Sequence, residues 1–256
     1  MIDHAQIQQQ ALSYACPEDA FKDRVILVTG AGDGIGRGIA LALASHGATV
    51  ILLGRTQEKL EAVYDQIKAG GYPEPALAPV NLEVARPQDY EELATLFERE
   101  FGRLDGILHN ASMLGELTPL EQYGYETWES VMQVNANAPF YLTRAMMPLL
   151  QKSEDASVVF TSSSVGRKGR AFWGAYSASK FATEGLMQIL ADEQENVSSI
   201  RSNSINPGAT RTNMRALAYP AEDANTLKTP ADIAPAYLFL LGPASKGVTG
   251  QAVNAQ

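Results

Sequence analysis

From Arg24 onward, short β-branched runs alternate with longer stretches in which apolar residues recur at helical spacing. VILVT is followed by a helical stretch from about Ile35 to His46, TVILL by QEKLEAVYDQIKAG, and ALAPV by PQDYEELATLFEREFG. LDGILHN, TWESVMQVNANAPFYLTRAMMPLLQ, SVVFTSS, AYSASKFATEGLMQILADEQ and SIRSNSINP continue the alternation. Strands taken in turn with helices predict a parallel sheet, and right-handed crossovers place the helices on both of its faces. The expected fold class is α/β, a doubly wound parallel sheet in one domain over 23–256.

Two stretches leave this rhythm. Residues 1–22 are polar and Gln-rich and end in Cys16-Pro17-Glu18-Asp19, which reads as an N-terminal arm or short helix with no assigned chemistry. Residues 209–228 show no strand and only weak helical period before PADIAPAYLFLLG and QAVNA, so a mobile flap over a ligand is expected there.

Composition narrows the function classes. The 256 residues are 45% hydrophobic and 19% charged, an ordinary globular balance. A net charge of −9 leaves no basic surplus for nucleic acid or an anionic membrane. No run approaches the ~18 apolar residues of a membrane span, and MIDHAQIQQQ lacks the basic start and apolar core of a secretion signal. Cys16 is alone and fits a reducing cytoplasm. A soluble cytoplasmic protein without a metal site is expected.

The first strand runs into Thr29-Gly30-Ala31-Gly32-Asp33-Gly34-Ile35-Gly36. Glycines at a first strand-to-helix turn let backbone amides approach a pyrophosphate, whose charge the helix N-terminus favours, so the sheet reads as Rossmann-type. The second strand ends Leu53-Gly54-Arg55, where an NAD enzyme would carry an acid for the ribose 2′-hydroxyl. Arg55 offers a guanidinium instead, which favours a 2′-phosphate and NADP(H) over NAD(H). Asp33 would oppose that phosphate if it pointed inward. A solvated surface arginine is the bland alternative.

Tyr176-Ser177-Ala178-Ser179-Lys180 places a phenol and an ammonium at i and i+4 on one helix face. An ammonium about 4 Å away could lower the phenol's pKa by about three units. That spacing also occurs by chance. Ser163 adds context, because it stands at the C-terminal end of the fifth strand, where doubly wound sheets present ligands. A serine hydrolase is disfavoured: there is no G-x-S-x-G elbow, and His4, His46 and His109 show no pattern that marks a base.

On these motifs the chain resembles the short-chain dehydrogenase/reductase family, in its compact single-domain branch, over about Phe21 to Ala255. TGAGDGIG matches the family's TGxxxGxG, HNAS resembles NNAG, QVNANA carries Asn135, YSASK supplies the Tyr-Lys pair and INPGATRT resembles the PG motif. The resemblance implies Tyr176 as general acid, Ser163 on the substrate carbonyl, Lys180 on the nicotinamide ribose and lowering the pKa of Tyr176, and Asn135 holding a water relay. It places Gly30, Asp33, Gly34, Ile35 and Gly36 around the pyrophosphate and adenosine side, Asn81 and Leu82 by the adenine, Asn110 and Ala111 by its ribose, and Pro207, Gly208, Thr210 and Thr212 by the nicotinamide amide. Ser112 for Gly, Asn81 for Asp, and Asp33 for a basic residue are departures that touch cofactor fit. The activity implied is NADP(H)-dependent oxidoreduction of a small carbonyl or alcohol. A 3-oxoacyl group on acyl carrier protein is the ranked alternative, and an NADP-binding redox-sensing module without turnover is the alternative of another class. Met113, Leu114, Trp173, Met214 and Tyr219 could line an apolar pocket, with Arg167, Arg170 and Arg215 available for an anionic tail. A homotetramer or homodimer built on the long helices is implied.

Overall fold

A computed structural model describes residues 3–256. Seven strands, β1 (Val25–Thr29), β2 (Thr49–Gly54), β3 (Ala76–Pro79), β4 (Gly106–His109), β5 (Ser157–Thr161), β6 (Arg201–Asn206) and β7 (Ala252–Asn254), form one sheet in the order β3-β2-β1-β4-β5-β6-β7. Every pairing is parallel. The order reverses between β1 and β4, so the loops leaving their C-terminal ends diverge and open a crevice.

Alternation within each strand divides the core between the two faces. Ile26, Val28, Val50, Leu52 and Val159 point to one side, and Leu27, Ile51, Leu53, Val158 and Phe160 to the other. The first side is covered by α1 (His4–Leu12), α2 (Gly34–Ser45), α3 (Gln57–Ala69) and the later helix α9 (Pro230–Leu241). The second is covered by α4 (Pro87–Phe101), α5 (Tyr125–Met132), α6 (Ala138–Leu150) and α7 (Gly174–Gln194). The short α8 (Asn213–Ala218) lies in the 209–228 segment.

Three features depart from the periodicity. The long helix expected through TWESVMQVNANAPFYLTRAMMPLLQ is interrupted by a π turn at Gln133–Asn137, with Asn135 inside it; such turns insert one residue and re-aim a side chain. The arm is joined to the core: Ile7 and Ala11 are buried in the cluster that includes α9. Gln8 presents its amide to the backbone of β7, donating to the Asn254 carbonyl at 2.7 Å and accepting from its N–H at 2.8 Å. The 209–228 segment, where a mobile flap was expected, is bonded to itself. Arg211 donates to the carbonyls of Ala224, Asn225 and Leu227, and Thr210 and Lys228 form a parallel bridge. These are side-chain and non-local bonds, which leave no hydrophobic period.

Candidate active site

A cavity of about 430 Å³ opens at the C-terminal ends of the central strands. Its first wall is the glycine turn. Gly30 and Gly34 hold φ of +68° and +53°, and a Cβ on Gly36 would collide with the Gly30 carbonyl. Gly36 therefore brings α2 close to β1 and does not itself line the cavity, whereas Gly30, Asp33, Gly34, Ile35 and the unanticipated Gly32 do. Thr29 Oγ1 accepts from the N–H groups of Asn110 and Ala111 at 3.0 Å each, which fastens the end of β4 beside the turn.

Asp33 caps α2, accepting from Gly34 N–H at 2.7 Å, from Lys59 Nζ at 2.7 Å and from Asn213 Nδ2 at 3.1 Å. The Lys59 hydrogen bond leads the contacts that hold its carboxyl below the usual range. The repulsion anticipated from Asp33 is thus balanced by Lys59, a wall residue whose role depends on bringing α3 against the turn. Arg55 is exposed on the same wall and hydrogen-bonds to no other described residue. Asn81 and Leu82 continue it, with Asn81 Oδ1 accepting from Glu83 N–H at 3.1 Å.

At the other end β5 delivers Thr161, Ser162 and Ser163, and α7 delivers Tyr176 and Lys180. Tyr176 is 9% exposed and Lys180 3%. The ammonium donates to the Thr161 carbonyl at 2.7 Å and stands 5.5 Å from the Tyr176 ring centroid. Burial pushes the phenol up to about 12, opposed by the Ser163 and Ser112 hydroxyls. Burial likewise draws Lys180 down to about 8, opposed by Glu184 one turn along. The expected acidification of the phenol by the ammonium is therefore corrected. Desolvation sets the direction for the phenol, and the Lys180 ammonium is directed to the Thr161 carbonyl. The Ser162 hydroxyl is buried without a hydrogen-bond partner among the described residues, and that of Ser112 is buried beside the phenol.

Asn135 does not line the cavity. Its Oδ1 accepts from Met113 N–H at 2.7 Å, and its Nδ2 donates to the Met113 carbonyl at 2.9 Å and to Ser179 Oγ at 3.0 Å. It pins the loop after β4 to α7. Pro207, Gly208, Thr210 and Thr212 complete the wall after β6. Met113, Trp173 and Met214 line the mouth; Leu114 and Tyr219 do not. The three arginines offered for an anionic tail all have protein partners. Arg167 bonds Glu184 and Asn254, Arg170 donates to the Tyr219 hydroxyl, and Arg215 is paired with Glu222.

His109 is buried against Phe160 and bonded to Thr143, and desolvation lowers it to about 3, so it stays neutral and packs. Among the described residues no cluster of His, Cys, Asp and Glu could hold a metal ion, and no helix is long and apolar enough to cross a membrane.

The short chain dehydrogenase family profile matches residues 24–223. The uncharacterized oxidoreductase YciK of Escherichia coli is 52% identical over 245 residues, 96% of each chain. Among solved structures, a short chain dehydrogenase of Pseudomonas syringae is 61% identical with a TM-score of 0.94, over 95% of this chain and 99% of its own. A short chain dehydrogenase of Shigella flexneri complexed with NADP is 52% identical with a TM-score of 0.91, over 94% of this chain and all of its own. With its parallel seven-stranded sheet and the glycine turn at the crevice, this chain belongs to the short chain dehydrogenase family of oxidoreductases.

Proposed function

We propose that the chain is an NADP(H)-dependent oxidoreductase that interconverts a carbonyl compound and its alcohol, with Tyr176 as the proton donor and acceptor. The observation that carries this reading is the convergence of Ser163, Tyr176 and Lys180 on the same cavity as the glycine turn. The residues present suit a dinucleotide: two positive-φ glycines open a cradle at a helix N-terminus, and the buried Ser162 hydroxyl wants a partner. Gly30, Asp33, Gly34 and Ile35 would hold its pyrophosphate, Arg55 its 2′-phosphate, Asn81 and Leu82 its adenine, Asn110 and Ala111 the adenosine ribose, and Pro207, Gly208, Thr210 and Thr212 its amide. NADP in the Shigella flexneri relative supports this choice of cofactor.

The cofactor supplies or receives the hydride. Ser163 holds the carbonyl oxygen and steadies the charge that develops on it. A phenol titrating near 12 keeps its proton at neutral pH, so it can donate to the developing alkoxide, and in the reverse reaction the same group takes that proton back. Lys180, at about 8, exchanges protons near neutrality and can reload the phenol. Phe140, Phe181 and Ile189, 46–57% exposed on α6 and α7, support assembly into a homodimer or homotetramer, which light scattering would test. The single free thiol, Cys16, fits the cytoplasmic setting read from the sequence.

The test is NADPH oxidation across a ketone and aldehyde panel beside Tyr176→Phe. Loss of about 10²- to 10⁴-fold in kcat is expected. Full turnover by the variant would exclude Tyr176 as the acid, and tight NADPH binding with no turnover by the wild type would favour the redox-sensing module.

A further inference from the structure

We infer that the substrate is an uncharged, largely apolar carbonyl compound, and that the Arg215–Glu222 pair enforces this; the inference rests on the reductase reading above. Beyond Ser112 and Tyr176 the cavity is walled by Met113, Val134, Trp173, Met214 and Ala218, with Arg215 as the charged member. Of the other charged wall residues, Asp33, Arg55, Lys59 and Glu83 follow β1, β2 and β3 at the glycine-turn end, and Lys180 is buried behind Tyr176 with its ammonium on the Thr161 carbonyl.

The Arg215 guanidinium is already engaged. Its Nε and Nη2 donate to the two carboxylate oxygens of Glu222 at 2.6 Å each, and its face stacks 3.7 Å from the Tyr219 ring centroid. Such a two-bond fork is the strongest geometry for this pair, and the side chains are only 25% and 28% exposed. Tyr219 stands 6.0 Å from Trp173, and Trp173 stands 5.7 Å from Tyr176. One packed row of side chains thus runs from the proposed proton donor to a neutralised arginine. Arg167, the other guanidinium of this region that is not exposed, is bonded to Glu184, Asn254 and the Val253 carbonyl. A substrate carboxylate or phosphate would lose its water among thioethers and an indole, where both wall cations of this end, Arg215 and Lys180, already have protein partners. An alkyl, alicyclic or aryl ketone or aldehyde gains from that same surface.

The experiment compares 2-oxo esters with 2-oxo acids of the same carbon skeleton across alkyl, alicyclic and aryl examples, using NADPH and the full chain. Tyr176→Phe and Glu222→Gln are run in parallel. The esters are expected to exceed the acids in kcat/KM by at least about 100-fold, and Glu222→Gln is expected to narrow that ratio by at least about tenfold by releasing the guanidinium. Acids equal to or better than esters, with turnover lost in Tyr176→Phe, would overturn the inference and leave the reductase reading standing. Ester turnover that persists in Tyr176→Phe would overturn the reading itself. The wild-type ratio decides the substrate class even if Glu222→Gln fails to fold; an unchanged ratio in a folded Glu222→Gln would overturn the part assigned to the ion pair.

Discussion

Lys180 lies almost wholly out of water, with one carbonyl acceptor and Glu184 in support, and burial draws its pKa from 10.5 to about 8. The unfolded chain therefore holds this proton between about pH 8 and 10.5 while the folded chain has released it, so stability rises with pH through that window. The wild type should gain about 2 kcal/mol more than Lys180→Met between pH 8 and pH 10 in urea unfolding. The raised phenol of Tyr176 acts in the opposite sense, but only above pH 10. At the far end of the cavity Arg55 has no hydrogen-bond partner among the described residues, so on the proposed reading its charge is available to a 2′-phosphate. Arg55→Asp is expected to shift the NADPH-to-NADH affinity ratio toward NADH by about 10- to 100-fold, and equal ratios in a fluorescence titration would remove Arg55 from cofactor choice. Arg55 was legible in the sequence because its position is counted along one strand from the glycines. Lys59 was not, because its partner Asp33 is 26 positions away and meets it only after β2 and α3 are in place.

Among the elements, the π turn at Gln133–Asn137 has the clearest consequence. The turn directs the Asn135 amide at both polar groups of Met113 and at Ser179, joining the loop after β4 to α7. Asn135→Ala leaves part-buried backbone groups of Met113 without their partner, and a loss of about 1–2 kcal/mol is expected as a lower urea midpoint at unchanged slope. An 8-residue helix, a π turn and a 13-residue helix share one apolar stripe, so periodicity alone joined them into a single helix. The arm was legible as a short helix, but its docking was equally opaque. Its Gln8 covers the outer edge of β7 as a side-chain imitation of a ladder partner, and an unpaired strand edge is what invites association between chains.

Across the whole molecule, the end of the sheet opposite the cavity is held by charge. Asp155 accepts from Arg201 at 2.9 Å and from Arg24 at 3.2 Å, while Arg201 also donates to Ser245 and to the carbonyls of Leu240 and Gly242 at the end of α9. Asp155→Ala strands a guanidinium that is 4% exposed, and a loss of about 3–5 kcal/mol is expected in thermal or urea unfolding. Order and spacing along the chain were enough for the parallel sheet, for the glycine turn at its first crossover and for the Tyr176–Lys180 pair, because each is a local pattern: period two, period 3.6, or a count of residues from a strand end. The balance of charges at the site arose differently. Whether Tyr176 is acidified or raised, whether Asp33 repels or is neutralised, and whether Arg215 is available depend on burial and on partners brought in by other elements, and neither exists until the chain has packed.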